Sequence, residues 1–150
     1  VGISLGLSCD FQIISETSKC AFSFVNIGFV PDSGAACLVT RAVGTTRAKD
    51  LFMSGRFFSG KDAADWGLFT EAVPAEELEE RVMKYVKKYS SGPSVAYAGI
   101  KTVINRAQFA AYADAMQAEI DAQGECELTE DFPEAVTAFL EKRRPQFKGK

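Results

Sequence analysis

Residues 21–44 read AFSFVNIGFVPDSGAACLVTRAVG, and this stretch decides the fold. Ala21-Phe22-Ser23-Phe24-Val25 is a short aromatic and β-branched run, the composition of a strand. Pro31-Asp32-Ser33-Gly34 then punctuates the chain and opens an apolar helix that is expected to end at Gly44. A strand feeding a helix in this way indicates α/β architecture. Asp32 has two readings at this point. It is a good helix N-cap, and it is also a carboxylate flanked by Phe22, Phe24, Phe29 and Val30, a desolvating setting that suits acid/base work.

Upstream, Phe11-Gln12-Ile13-Ile14 is a second candidate strand, separated from the first by a Ser-Glu-Thr-Ser turn. Downstream, Thr45 and Thr46 can cap a helix running to about Gly55. Ser59 and Asp62 have the spacing of a capping box for a short helix that stops at Gly67. Leu68–Val73 returns as an extended segment, and helices follow to the end. Leu78, Val82, Tyr85 and Tyr89 share one helical face; Tyr97, Ile100 and Ile104 mark a second helix. Phe109, Ala113, Met116 and Ile120 mark a third, whose pattern breaks at Gly124, and Phe132-Pro133 starts the last.

The 150 residues are 47% hydrophobic, 25% charged and 11% aromatic, the proportions of a soluble globular protein. Seventeen basic against twenty acidic residues give a net charge of −3, with no general support for nucleic-acid or anionic-membrane binding. No apolar stretch is long enough to span a bilayer. There is no histidine, so chemistry carried by this chain alone proceeds without Ser-His or Cys-His nucleophiles and without His-based metal sites. Cys9, Cys20, Cys37 and Cys126 form no C-x-x-C pair and read as reduced thiols of an intracellular protein.

Two further features are candidates for function. In Val1-Gly2-Ile3-Ser4-Leu5-Gly6-Leu7, small residues at a helix start leave backbone N–H groups uncovered, which suits an oxyanion or phosphate. The same glycines also permit close packing against a neighbour. Between Ala107 and Leu140 there are eight acidic residues and no Lys or Arg, whereas the last ten residues carry five basic residues against one acidic. One reading is a solvated acidic face with a loose basic tail; the other is a tail that meets an anionic ligand or an acidic neighbour.

The segments VGISLGLSCD, AFSFVNIGFVPDSGAACLVTRAVG, LFMSGRFFSGKDAADWGLFTEAVP and FLEKRRPQFKGK, in this order, closely resemble the crotonase (enoyl-CoA hydratase/isomerase) superfamily. The resemblance implies part of a crotonase-like β-β-α superhelix over residues 1–73, followed by a helical trimerisation region over 74–150. It implies that Val1 and Gly2 lie at the oxyanion-hole helix, where backbone N–H groups hold a thioester oxygen as an enolate forms. The two carboxylates with which hydratases of the family act on water fall at Ser4 and Phe24, so neither is present.

Asp32 coincides with the single carboxylate of family isomerases. Its surroundings are similar to those of enzymes that shift a double bond and of the ring-opening isomerases of phenylacetyl-CoA breakdown. The resemblance further implies an acyl pocket at Phe24, Phe29 and Val30, and CoA contacts at Phe139 and Lys142 made to a neighbouring subunit of a homotrimer or dimer of trimers. No metal or redox cofactor is expected, since coenzyme A arrives on the acyl-CoA thioester. The expected location is cytoplasmic, or mitochondrial or peroxisomal in a eukaryote. The chain is expected to be the carboxyl-terminal part of a larger domain that supplies the second oxyanion donor. A hydratase-like lyase and a non-catalytic acyl-CoA-binding or assembly subunit are the alternatives.

Overall fold

Four short strands organise the first half of the molecule and seven helices surround and follow them; the computed structural model describes residues 1–149. Helix α1 (Gly2–Leu7) leads to β1 (Ile13–Ser15) and β2 (Lys19–Cys20), and α2 (Ala35–Ser54) leads to β3 (Phe58–Ser59). Helix α3 (Gly60–Asp65) precedes β4 (Glu71–Val73). The remainder is α4 (Leu78–Ser90), α5 (Ser94–Gln108), α6 (Tyr112–Glu127) and α7 (Asp131–Leu140). Among the described residues no helix is long and apolar enough to cross a membrane.

The two strands flanking the Ser-Glu-Thr-Ser turn do not pair with each other. β1 pairs in parallel with β4, matching Ile13 to Glu71 and Ser15 to Val73, while β2 pairs antiparallel with β3. The turn itself closes with the Ser18 N–H donating to the Ser15 carbonyl at 3.0 Å. Gly60 explains the tight junction between the two ladders. A Cβ there would sit 2.0 Å from the Ser15 carbonyl oxygen, so only glycine lets the start of α3 approach β1 this closely.

The expected strand Ala21–Val25 is a correction. The ladder of β2 ends at Cys20, and Ser23–Ile27 forms a short 3₁₀ helix. Burial explains the difference. Phe22 turns into the core against Phe52, 4.9 Å away edge-on, and Phe58, 6.0 Å away. Anchored there, the chain has no edge left to continue along and coils until Gly28 ends the turn in the left-handed region.

Elsewhere the punctuation holds. Gly44 breaks α2 into two helical pieces, Gly55 ends the second, and Ser59 with Asp62 forms a reciprocal capping box at α3. Gly124, by contrast, does not end α6, which continues to Glu127. A glycine mid-helix costs roughly 1 kcal/mol, too little by itself to stop a helix.

The core lies between α2, α3 and the strands, with Leu51, Val39, Leu68, Ala35 and Ala63 at or near zero exposure. Each fully buried Leu or Val contributes on the order of 1.5–3 kcal/mol. On the opposite side of β1, the face of α4 that carries Tyr85 and Tyr89 packs on Phe11, with Tyr89 stacked 4.4 Å from that ring. From Ala75 onward every described element is helical.

Candidate active site

Helix α1 begins without a capping side chain. Its first backbone bond is donated by Leu5 to the Val1 carbonyl at 2.9 Å, so the N–H groups before Leu5 find no partner within the helix. This uncapped start opens on a cavity of about 340 Å³ lined by Val1, Gly2, Ser4, Phe22 and Phe24. Ser4 and Phe24, the two positions at which the sequence resemblance places the hydratase carboxylates, therefore share one cavity with the helix start. Neither side chain is a base.

An adjoining cavity of about 430 Å³ shares Val1 and Phe24 with the first and adds Phe139 and Arg143 from the end of α7 and the segment after it. Phe139 thus faces the helix start of its own chain. Lys142, in the left-handed region with φ of 54°, makes no ion pair among the described residues. Arg143 is engaged by Glu134 and Glu141, both at 2.6 Å.

The basic tail is not a loose end. Beyond Arg143, the backbone N–H groups of Lys148 and Gly149 donate to Asp131, and that of Gln146 to Glu134. The Arg143 guanidinium and this N–H hold the Glu134 carboxyl down to about 2 from the ordinary 4.5. A depressed carboxylate contributes its stabilisation above the ordinary value, and loses it as pH falls through the folded one. The hydrogen-exchange protection of the Gln146 amide is therefore expected to be full above about pH 4.5 and to decline progressively toward pH 2. A loss that sets in well above pH 4.5 would show that the tail is not held by this ion pair.

Asp32 is not the cap of α2. The N-cap is Gly34, in the left-handed region with φ of 75°, and the capping carboxylate comes from Glu119 on α6. Glu119, 7% exposed, accepts from the Gly34 N–H at 2.7 Å and the Ala36 N–H at 2.9 Å. Two N–H donors and the positive end of α2 offset the desolvation of this buried charge. Asp32 itself is half-buried, and its carboxylate accepts only from the Ser33 hydroxyl, at 2.9 Å, among the described hydrogen bonds.

The other residues expected near Asp32 separate. Phe24 lines the cavity at Val1, Phe29 stacks on Phe132 at 4.3 Å, and Val30 lines a different cavity of about 490 Å³ between α2 and α6. Glu119 was hidden in the acidic run. Its sequence signal is its register: Tyr112, Met116, Glu119 and Gln123 share one helical face, and that face is the buried one. The expected stripe ending at Ile120 is accordingly corrected, since Ile120 is 62% exposed.

The chain is 33% identical over 98% of its length to a trans-2-decenoyl-acyl-carrier-protein isomerase of Streptococcus mutans, of which it covers 56%. It is 32% identical over 99% of its length to the 1,2-epoxyphenylacetyl-CoA isomerase of Escherichia coli, covering 57% of that protein. Among solved structures, an enoyl-CoA hydratase from Mycobacterium avium subsp. paratuberculosis superposes with a TM-score of 0.91 at 38% identity. That match covers 98% of this chain and 60% of the other. The chain spans a little over half the length of the curated relatives it matches. The sequence model for enoyl-CoA hydratase/isomerase matches residues 1–150 throughout, and the chain belongs to that crotonase-fold family.

Proposed function

We propose that this protein is an enoyl-thioester isomerase in which Asp32 moves a proton between two carbons of the acyl chain. The observation that carries the reading is the release of Asp32 from capping. Glu119 takes the N–H groups of Gly34 and Ala36, and this leaves the Asp32 carboxylate available for chemistry. Asp32 removes the proton next to the thioester carbonyl and the charge moves onto oxygen. The backbone N–H at Val1, at the start of α1 beside Gly2, is one of the two donors that stabilise that oxyanion, contributing about 3 kcal/mol. Asp32 then returns the proton two carbons away, with Phe24 walling the acyl pocket.

Isomerases and hydratases both stand among the relatives, so similarity alone does not choose between them. The cavity at the helix start favours isomerisation, because Ser4 and Phe24 supply no pair of carboxylates to activate water. No metal or redox group enters this scheme. Coenzyme A comes with the substrate, and its adenine and phosphates would meet Phe139 and Lys142 in a homotrimer or dimer of trimers. Residues 74–150 would build that assembly, and the cytoplasm is the proposed location.

The test is to supply the purified protein with trans-3-hexenoyl-CoA and follow the absorbance of the conjugated 2-enoyl thioester. Conjugation without hydration supports the reading. Hydration of the 2-enoyl product as the main reaction would replace it with the lyase alternative. Binding by calorimetry without turnover of 3-enoyl, 2-enoyl or epoxide thioesters would replace it with a binding subunit.

A further inference from the structure

The segment that carries Asp32 is held from one side by a single face of α6. Gln123 donates its side-chain N–H to the Val30 carbonyl at 2.7 Å, two residues before Asp32. Glu119 accepts from Gly34 and Ala36, two and four residues after it. Tyr112 and Met116, on the same face, close over Gly34 so tightly that a Cβ there would sit 2.1 Å from the Tyr112 hydroxyl oxygen. Glu119 is a charged side chain that is nearly fully buried, and both of its oxygens point into this turn. A buried carboxylate is costly to maintain, and an Asp at position 32 or 33 could cap the same helix from the surface more cheaply.

We propose that Glu119, assisted by Gln123, is the positioning residue for Asp32: from α6 it caps α2, so that the carboxylate of Asp32 is free and its backbone is fixed on both sides. This rests on the isomerase reading for what Asp32 does, but the clamp itself is a statement about geometry. A carboxylate that must reach two carbons in turn needs a backbone that does not drift, because a displacement of about 1 Å costs on the order of 100-fold in rate.

The experiment combines Glu119→Gln, Glu119→Ala and Gln123→Ala with Asp32→Asn, assayed on trans-3-hexenoyl-CoA. Amide hydrogen exchange of the free protein is read in parallel. Glu119→Gln keeps shape and one acceptor oxygen, and Gln123→Ala is milder still, so folded protein is available even where Glu119→Ala does not fold. Expected are a kcat loss of about 10–100-fold for Glu119→Gln with KM within about twofold, and a smaller loss for Gln123→Ala. Faster exchange at Gly34 and Ala36 should accompany the Glu119 substitution. In the Asp32→Asn background the Glu119 substitution should cost nothing further, since a positioning residue has nothing left to position. Wild-type kcat in folded Glu119→Gln, or unchanged exchange at Gly34 and Ala36, would overturn the proposal. Full activity in Asp32→Asn alone would instead remove the isomerase reading, while the exchange rates still decide whether the clamp exists.

Discussion

Asp32→Asn is expected to lower kcat for 3-enoyl thioester isomerisation by about 10²–10⁴-fold while leaving KM and the melting temperature close to wild type. The rate follows from chemistry. An amide neither takes a proton from carbon nor returns it, and no histidine exists in this sequence to substitute as base. Unchanged stability follows from the hydrogen bonds. The only described partner of the Asp32 carboxylate is the Ser33 hydroxyl, which an asparagine oxygen also accepts, and the α2 cap stays with Glu119. A structural Asp32 would give the reverse pattern, with a lowered melting temperature and intact turnover. Asp32→Glu should recover little, because one added methylene displaces the carboxylate from both carbons it must serve.

The same contrast shows what the sequence could and could not reveal about the site. Asp32 was visible from its flanking aromatics and from P-D-S-G at a helix start, and the uncapped glycines of α1 were visible as an anion-friendly helix end. Glu119 was not. An acidic residue in a run of eight reads as solvent-facing, and only the pairing of α6 with the start of α2, 85 residues away in sequence, turns it inward. Local composition carries no signal for a cap delivered across such a distance.

The fold shows a parallel division. Glycine signals located the breaks at Gly44 and Gly55, and the Ser59–Asp62 spacing located the capping box, because these features are decided within one turn of chain. The strand expected at Ala21–Val25 failed because strand length depends on a partner. β3 offers only Phe58 and Ser59, and Phe22 gains more by burying its ring between Phe52 and Phe58 than by alternating along an edge. The exposed Val95, Ile100, Val103 and Ile104 of α5 show the limit from the other direction. The periodicity of Tyr97, Ile100 and Ile104 correctly marked a helix, but an apolar face does not state what covers it.

Leu51→Ala is expected to destabilise the protein by about 2–5 kcal/mol and to lower its melting temperature by several degrees, the largest single stability loss among the substitutions considered. Leu51 has no solvent exposure and belongs to the core cluster that also holds Phe22, Ala48, Phe58, Ala63 and Leu68. Truncation to a methyl leaves a void whose walls cannot readily collapse. Phe22 is fixed edge-on against Phe52, and Phe58 is held at 5.4 Å from Trp66, whose ring lies under the guanidinium groups of Arg47 and Arg56. A well-buttressed site pays nearly the whole cavity penalty, which places the expected value in the upper half of that range. Leu128→Ala supplies the control, since a leucine that is 89% exposed should change stability by no more than about 0.5 kcal/mol. Leu51 lies beyond the Gly44 break, in the part of α2 that does not touch the Glu119 clamp, so kcat measured well below the melting transition should stay within about twofold of wild type. A small stability loss would mean that the surrounding rings rearrange to fill the space. A large loss of kcat at low temperature would mean that the two pieces of α2 move as one body and that the core sets the geometry at Asp32.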